Sequence, residues 1–114
     1  MRNLVISQTP YRISLGGGGT DLPFYSNEKG GRLITAAINQ YIKVSVSKRP
    51  LDDQILIQTT DVQFASNLDH VKNQIIKETL KYYNLNKGIQ IATFSTLPSG
   101  IGLGSSSTVI VGLI

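Results

Sequence analysis

The stretch Leu97-Pro98-Ser99-Gly100-Ile101-Gly102-Leu103-Gly104-Ser105-Ser106-Ser107-Thr108 constrains this chain of 114 residues more than any other. A β-rich run leads into it and an apolar, helix-like run, Val109 to Ile114, leads out. Pro98 has no amide to donate to a ladder and so ends the strand. Gly100, Gly102 and Gly104 leave the backbone free to take positive φ and to come close to a ligand. Ser105 to Thr108 are helix-capping residue types, which would turn the first amides and the positive dipole end of a helix toward the loop. Such a strand, glycine loop and helix start suits an anion, phosphate above all. The plain alternative is a glycine-rich turn, although three alternating glycines followed by four hydroxyls exceed what a turn needs.

Bulk properties narrow the function classes. The length suits one domain with a real core. An apolar content of 40% and a charged content of 16% fit a globular chain, not a disordered one. The net charge of +4 comes from dispersed lysines and arginines without a block of like charge, which argues against a nucleic-acid surface and suits an anionic small molecule. Cysteine is absent and His70 is the single histidine, so thiolate and histidine-rich metal sites are excluded. No apolar run of membrane-spanning length occurs, and Met1-Arg2-Asn3 leads into a strand-like segment instead of a signal peptide, so the expected location is cytoplasmic with no membrane partner. The ending on Val109-Ile110-Val111-Gly112-Leu113-Ile114, without a polar tail, reads as the N-terminal part of a longer protein.

In chain order, Leu4 and Ile6, then Tyr11, Ile13 and Leu15, alternate as strands around Pro10. Gly16-Gly17-Gly18-Gly19-Thr20-Asp21 breaks the pattern, and a loop is expected to continue through Leu22-Pro23-Phe24-Tyr25 to Gly30-Gly31. Leu33 to Ile38 reads as a strand. Tyr41 to Ser47 alternates, and Pro50-Leu51-Asp52-Asp53 is a turn to a partner strand at Ile55-Leu56-Ile57. A weaker strand covers Val62 to Phe64. A helix is predicted over 69–84, begun by Asp69, with Val71, Ile75, Thr79 and Tyr83 on one stripe widened by Ile76 and Leu80. Lys72, Lys77, Lys81 and His70 fall on the solvent side. Ile89, Ile91 and Phe94 form the strand that feeds the glycine loop. Strand after strand in the first half makes the fold class α+β and disfavours a simple alternating βαβ layout.

Two familiar phosphate patterns do not fit. The P-loop needs a lysine after its last glycine, where Ser105 stands. The dinucleotide pattern needs a third glycine, where the second loop has Ser105 and the first has Asp21. A lysine-free loop of backbone amides and hydroxyls remains, and hydroxyls beside phosphate are natural Mg²⁺ contacts.

Leu97-Pro98-x-Gly100-x-Gly102-Leu103-Gly104-Ser105-Ser106-Ser107 resembles the second, ATP-binding motif of the GHMP kinases (galacto-, homoserine, mevalonate and phosphomevalonate kinases). Pro10-Tyr11-Arg12-Ile13-Ser14-Leu15-Gly16-Gly17-Gly18-Gly19-Thr20-Asp21 is similar to their first motif, in the right order. The resemblance covers the whole chain. It implies a ribosomal-protein-S5-domain-2-like N-terminal domain over residues 1–114, incomplete and without the C-terminal domain. It further implies that Pro98, Gly100, Gly102, Leu103, Gly104, Ser105, Ser106 and Ser107 bind ATP, with Ser106 contacting Mg²⁺. Arg12 would act as the catalytic charge-steadying residue near the acceptor. Gly17, Gly18, Gly19, Thr20 and Asp21 would join Arg12 in holding the substrate, with Asp21 on sugar hydroxyls.

Where galactokinases have Glu-His before Thr-Asp, this chain has Gly18-Gly19, which removes sugar contacts, opens room and exposes amides that favour an anion. The stretch through Leu22-Pro23-Phe24-Tyr25 looks most like the D-glycero-D-manno-heptose 7-phosphate kinase branch, which phosphorylates the anomeric hydroxyl on the way to nucleotide-activated heptose for surface polysaccharide. The partners implied are ATP and a sugar phosphate. Another member acting on fucose or a different free sugar, or a non-catalytic binding module, are the alternatives. The family's catalytic aspartate, its acidic metal ligand and its third glycine motif would all follow residue 114. The isolated chain is therefore expected to show no kinase activity. ATP-dependent turnover of heptose 7-phosphate by these 114 residues alone would contradict that.

Overall fold

The computed structural model describes residues 3–98 and 100–114, so Met1, Arg2 and Ser99 of the segments above lie outside the described residues. Its strands are β1 (Leu4–Gly16), β2 (Ile34–Lys48), β3 (Ile55–Gln58), β4 (Val62–Ala65) and β5 (Ile89–Ser95). Its helices are α1 (Pro23–Lys29), α2 (Gln74–Tyr82) and α3 (Ser105–Leu113), with a short 3-10 turn at Leu68–His70. The strands form one mixed sheet in the order β1-β2-β5-β3-β4. The α+β expectation holds.

Strands expected in pieces are continuous. β1 runs straight through Pro10, which is tolerated because β1 is an edge strand and its pairing with β2 breaks register between Pro10 and Arg12. The segments at 33–38 and 41–47 fuse into β2, which bridges β1 and β5.

The hairpin expected between residues 41–47 and Ile55-Ile57 does not form, because β5 lies between the two strands, antiparallel to β2 and parallel to β3. Its first residues thread the gap: the Arg49 amide donates to the Gly88 carbonyl at 2.8 Å and the Ile89 amide to Gln54 at 3.2 Å. Ile89, Ile91 and Ala92 are buried, which suits β5 to a central position. The 50–53 turn itself is present. The Arg49 guanidinium grips the Asp52 carboxylate at 2.9 and 2.5 Å, and Asp52 also accepts from the Gln54 amide.

The helix predicted over 69–84 is shorter. Lys72 donates its amide to the Gln63 side chain, and Gln63 in turn donates to the His70 carbonyl, so residues 70–72 are tied to β4. The cap is Asn73, not Asp69, with its side chain accepting from Ile76 N at 3.2 Å. The buried face is accordingly Ile76 and Leu80, with Ile75 and Thr79 half-buried beside it; Val71 packs from non-helical backbone. Asn84, at φ 55°, turns the chain out of α2. His70 is exposed, as expected. Residues 22–31 are not all loop, since Pro23 opens α1 and Gly30 follows its end, the usual places for these residues.

The core joins one sheet face, through Tyr11, Ile42, Val44, Ile55, Ile57, Ile89 and Ile91, to Val71, Ile76 and Leu80. α3 lies on the same face over β1 and β2. Gly112 allows the close approach: a methyl there would sit 3.0 Å from Val44 Cγ2, and the Ser7 hydroxyl donates to the Gly112 carbonyl at 2.6 Å. No helix among the described residues is long and apolar enough to cross a membrane.

The Arg49 pair holds the Asp52 carboxyl below its ordinary range, chiefly through the hydrogen bonds from the guanidinium. A lowered folded-state pKa stabilises the fold above the unfolded carboxyl's value, and the contribution is lost as pH falls through the folded value. Asp52→Asn in the intact protein should therefore flatten part of the loss of thermal stability seen on acidification below about pH 4. Parallel pH profiles of the melting temperature for the two proteins would show that the pair is silent.

Candidate active site

The glycine loop has the backbone its sequence anticipates. Gly100, Gly102 and Gly104 all take positive φ, at 79°, 77° and 75°, a region costly for other L-residues. Ser105 to Thr108 do not cap α3 as expected. Gly104, in the left-handed region, is the N-cap, and no side chain caps the helix start. The serines are thereby moved into the first turn. Thr108 is buried and its hydroxyl turns back to the Gly104 carbonyl at 2.8 Å. Ser106 and Ser107 are exposed on the first turn. Leu103 packs on the core and anchors the loop from below.

Ser105 points the other way. Its Oγ is buried without a hydrogen-bond partner, beside a cavity of about 330 Å³ whose lining includes Pro98, Thr93, Ser95, Thr59 and Thr60. An unpaired hydroxyl there leaves a polar contact to be made.

Strand β1 holds the loop at both ends. At the start, Tyr11 is 1% exposed and its hydroxyl lies 2.5 Å from Ser95 Oγ. The Ser95 Oγ accepts from the Leu97 amide at 3.1 Å and lies 3.0 Å from the Leu97 carbonyl. At the far end, the Arg12 amide donates to the Leu103 carbonyl at 3.4 Å and its guanidinium to the Gly102 carbonyl at 3.3 Å. A methyl on Gly104 would lie 2.9 Å from Arg12 Cζ. Arg12, assigned from sequence to the acceptor side, thus sits against the second loop and links the two motifs. Tyr11 and Ser95 were not singled out from sequence. Alternation marks Tyr11 as an inward residue, but nothing local reveals a partner 84 positions away.

The first glycine loop is stitched to the segment before β2. The Thr20 hydroxyl lies 2.7 Å from both the Gly17 and Arg32 carbonyls and accepts from the Arg32 amide at 3.1 Å. A side chain on Gly17 would collide with the Arg32 carbonyl, and one on Gly31 with the Thr20 carbonyl. Gly19, at φ 85°, faces open space, and Gly18 has only Ser14 Oγ near. Asp21 is exposed, and its carbonyl accepts from the Ser26 hydroxyl at 3.4 Å. Gly17 and Thr20 therefore shape the loop, while Gly18, Gly19 and Asp21 remain open to a ligand.

Among the described residues no cluster of three or more acidic, histidine or cysteine side chains could hold a metal on its own. The exposed Ser106 hydroxyl, on an uncapped helix start, is nevertheless the donor type that a hard cation takes when phosphates supply the other ligands.

Thr20→Val should cost about 1 kcal/mol and speed hydrogen exchange of the Arg32 amide. Unaltered exchange at that amide would show that the hydroxyl does not hold the loop.

Residues 69–114 match the family model described as the GHMP kinases N-terminal domain. A D-glycero-alpha-D-manno-heptose 7-phosphate kinase of Campylobacter jejuni is 36% identical over 95% of this chain and 35% of its own length. The chain thus spans about a third of the curated relative it matches. The crystal structure of a D-glycero-D-manno-heptose 1-phosphate kinase from Bacteroides thetaiotaomicron superposes with a TM-score of 0.80 at 26% identity, covering 96% of this chain and 39% of that one. The Methanococcus jannaschii mevalonate kinase gives a TM-score of 0.68 at 25% identity, over 96% of this chain and 38% of its own. With two glycine loops in family order, a GHMP kinases N-terminal domain match over residues 69–114 and a shared fold, the chain is similar over nearly its whole length to the N-terminal part of GHMP kinases.

Proposed function

We propose that the protein carrying this chain is an ATP-dependent kinase that phosphorylates the anomeric hydroxyl of D-glycero-D-manno-heptose 7-phosphate, in the cytoplasm, with residues 1–114 forming its truncated N-terminal domain. The carrying observation is the glycine loop: three left-handed glycines leading into a helix whose start has no side-chain cap. The name of the Campylobacter relative and the Gly18-Gly19 opening in the first loop support a phosphorylated heptose as acceptor.

In this reading, Gly100, Gly102 and Gly104 bring the backbone close around the ATP phosphates, with Pro98 and Leu103 fixing the loop and Ser105 and Ser107 at the helix start. The positive end of α3 offsets phosphate charge. Ser106 would contribute one oxygen to Mg²⁺, which neutralises charge on the nucleotide. Arg12 holds the loop through Gly102 and directs its remaining guanidinium donors at charge that builds during transfer. Asp21 accepts from sugar hydroxyls at the open first loop, beside Gly18 and Gly19. Positioning and preorganised charge supply the rate enhancement from this half of the site.

Coupled ADP release with a panel of sugars and sugar phosphates tests the acceptor, and a preference for free fucose or another unphosphorylated sugar would replace this reading by that of a free-sugar kinase. In the same assay Ser106→Ala should lower kcat on the order of 10²-fold, comparable with loss of a transition-state donor. Full turnover by that variant at saturating Mg²⁺ would reduce Ser106 to a helix residue.

A further inference from the structure

Beside the first glycine loop lies a concavity of about 390 Å³ lined by Thr20, Tyr25, Lys29, Gly30, Gly31 and Arg32. Its shape is built rather than incidental. The Thr20 hydroxyl clamps the Arg32 backbone from both sides, and Gly31 packs on the Thr20 carbonyl too closely for any side chain. Lys29 Nζ is held over the Tyr25 ring, 5.7 Å from its centroid.

Two cationic residues, Lys29 and Arg32, thus line one hollow. The ion pairs among the described residues are Arg49–Asp52, Lys81–Glu78 and Lys87–Asp53, and none involves Lys29 or Arg32. The neighbouring acids Asp21 and Glu28 reach neither. Lys29 faces the negative end of the short helix α1, which one cation balances. Arg32 is a second charge with no such counterweight. Its planar fork is the side chain best matched to a tetrahedral oxyanion, with lysine beside it as a point charge.

The geometry points to Lys29 and Arg32 as the site that binds the phosphate already present on the acceptor sugar. This rests on the reading of a phosphorylated acceptor, and it adds the residues that recognise the phosphate. The placement suits that role. The hollow shares Thr20 with the first glycine loop, whose Gly18, Gly19 and Asp21 are open to the acceptor. The acceptor's hydroxyls would lie against that loop and its phosphate in the hollow. Free sugars would leave both cations unused, so the hollow selects for the phosphate.

The test uses the intact enzyme with heptose 7-phosphate and with the same heptose lacking the phosphate. Arg32→Gln and Lys29→Gln should each raise KM for the phosphorylated sugar roughly tenfold or more. KM for ATP and the turnover of the unphosphorylated sugar should stay as they were. Arg32→Lys should fall between the unsubstituted enzyme and Arg32→Gln, since it keeps the charge and loses the planar fork. Equal losses on both sugars, or an unchanged KM for the phosphorylated one, would overturn the assignment while leaving a phosphorylated acceptor standing. Preference of the unsubstituted enzyme for the free sugar would overturn the assignment together with the reading of the acceptor.

Discussion

The contact between Arg12 and the backbone of Gly102 to Gly104 joins the two halves of this domain's chemistry. It runs from the strand that ends in the first glycine loop to the loop that begins α3, across 90 positions of sequence. The amide of Arg12 reaches the Leu103 carbonyl, and its guanidinium lies where any side chain on Gly104 would stand. One position earlier, Tyr11 secures the loop's other end through Ser95 and Leu97. A flexible run of glycines thus acquires a fixed path from a rigid strand, as preorganisation of an anion site requires.

The same logic places α3. With a left-handed glycine as N-cap, the helix starts one residue before the serines could cap it, and they face outward or into the cavity instead. Gly112 lets the helix settle on Val44 and Ser7. Its two glycines therefore act in different ways, one leaving the helix start open and the other docking its last turn on the sheet.

Much of the fold could be read from residue pattern. Alternation found the sheet faces, Asn84 marked the end of α2, and the spacing of Gly100, Gly102 and Gly104 anticipated three positive φ angles. The errors fall where a distant partner overrides a local signal. Pro10 does not break β1 because that strand lies at the sheet edge, where a missing donor costs little. Asp69 loses the cap of α2 to Asn73 because Gln63, on β4, ties down the backbone of His70 and Lys72 after the 3-10 turn and keeps it out of the helix. The turn at 50–53 is correct, yet its strands are separated by β5, which no local signal at residues 50–57 could announce.

The sequence by itself determined the chemistry that is local: which segments can take left-handed backbone, which strand and helix faces are apolar, and which hydroxyls and amides are on offer beside a glycine loop. Those properties belong to single residues and their immediate neighbours. Only the tertiary structure decided which donors remain free, since that depends on which groups are consumed in holding the fold. Thr20 is used to stitch the first loop to Arg32, and Tyr11 and the Arg12 amide are used to brace the second. Ser105 Oγ, Ser106 and the cationic side chains of Lys29 and Arg32 are left with capacity to spare. Hydrogen-bond capacity is finite, so the contacts that build the site also select the groups that face a ligand.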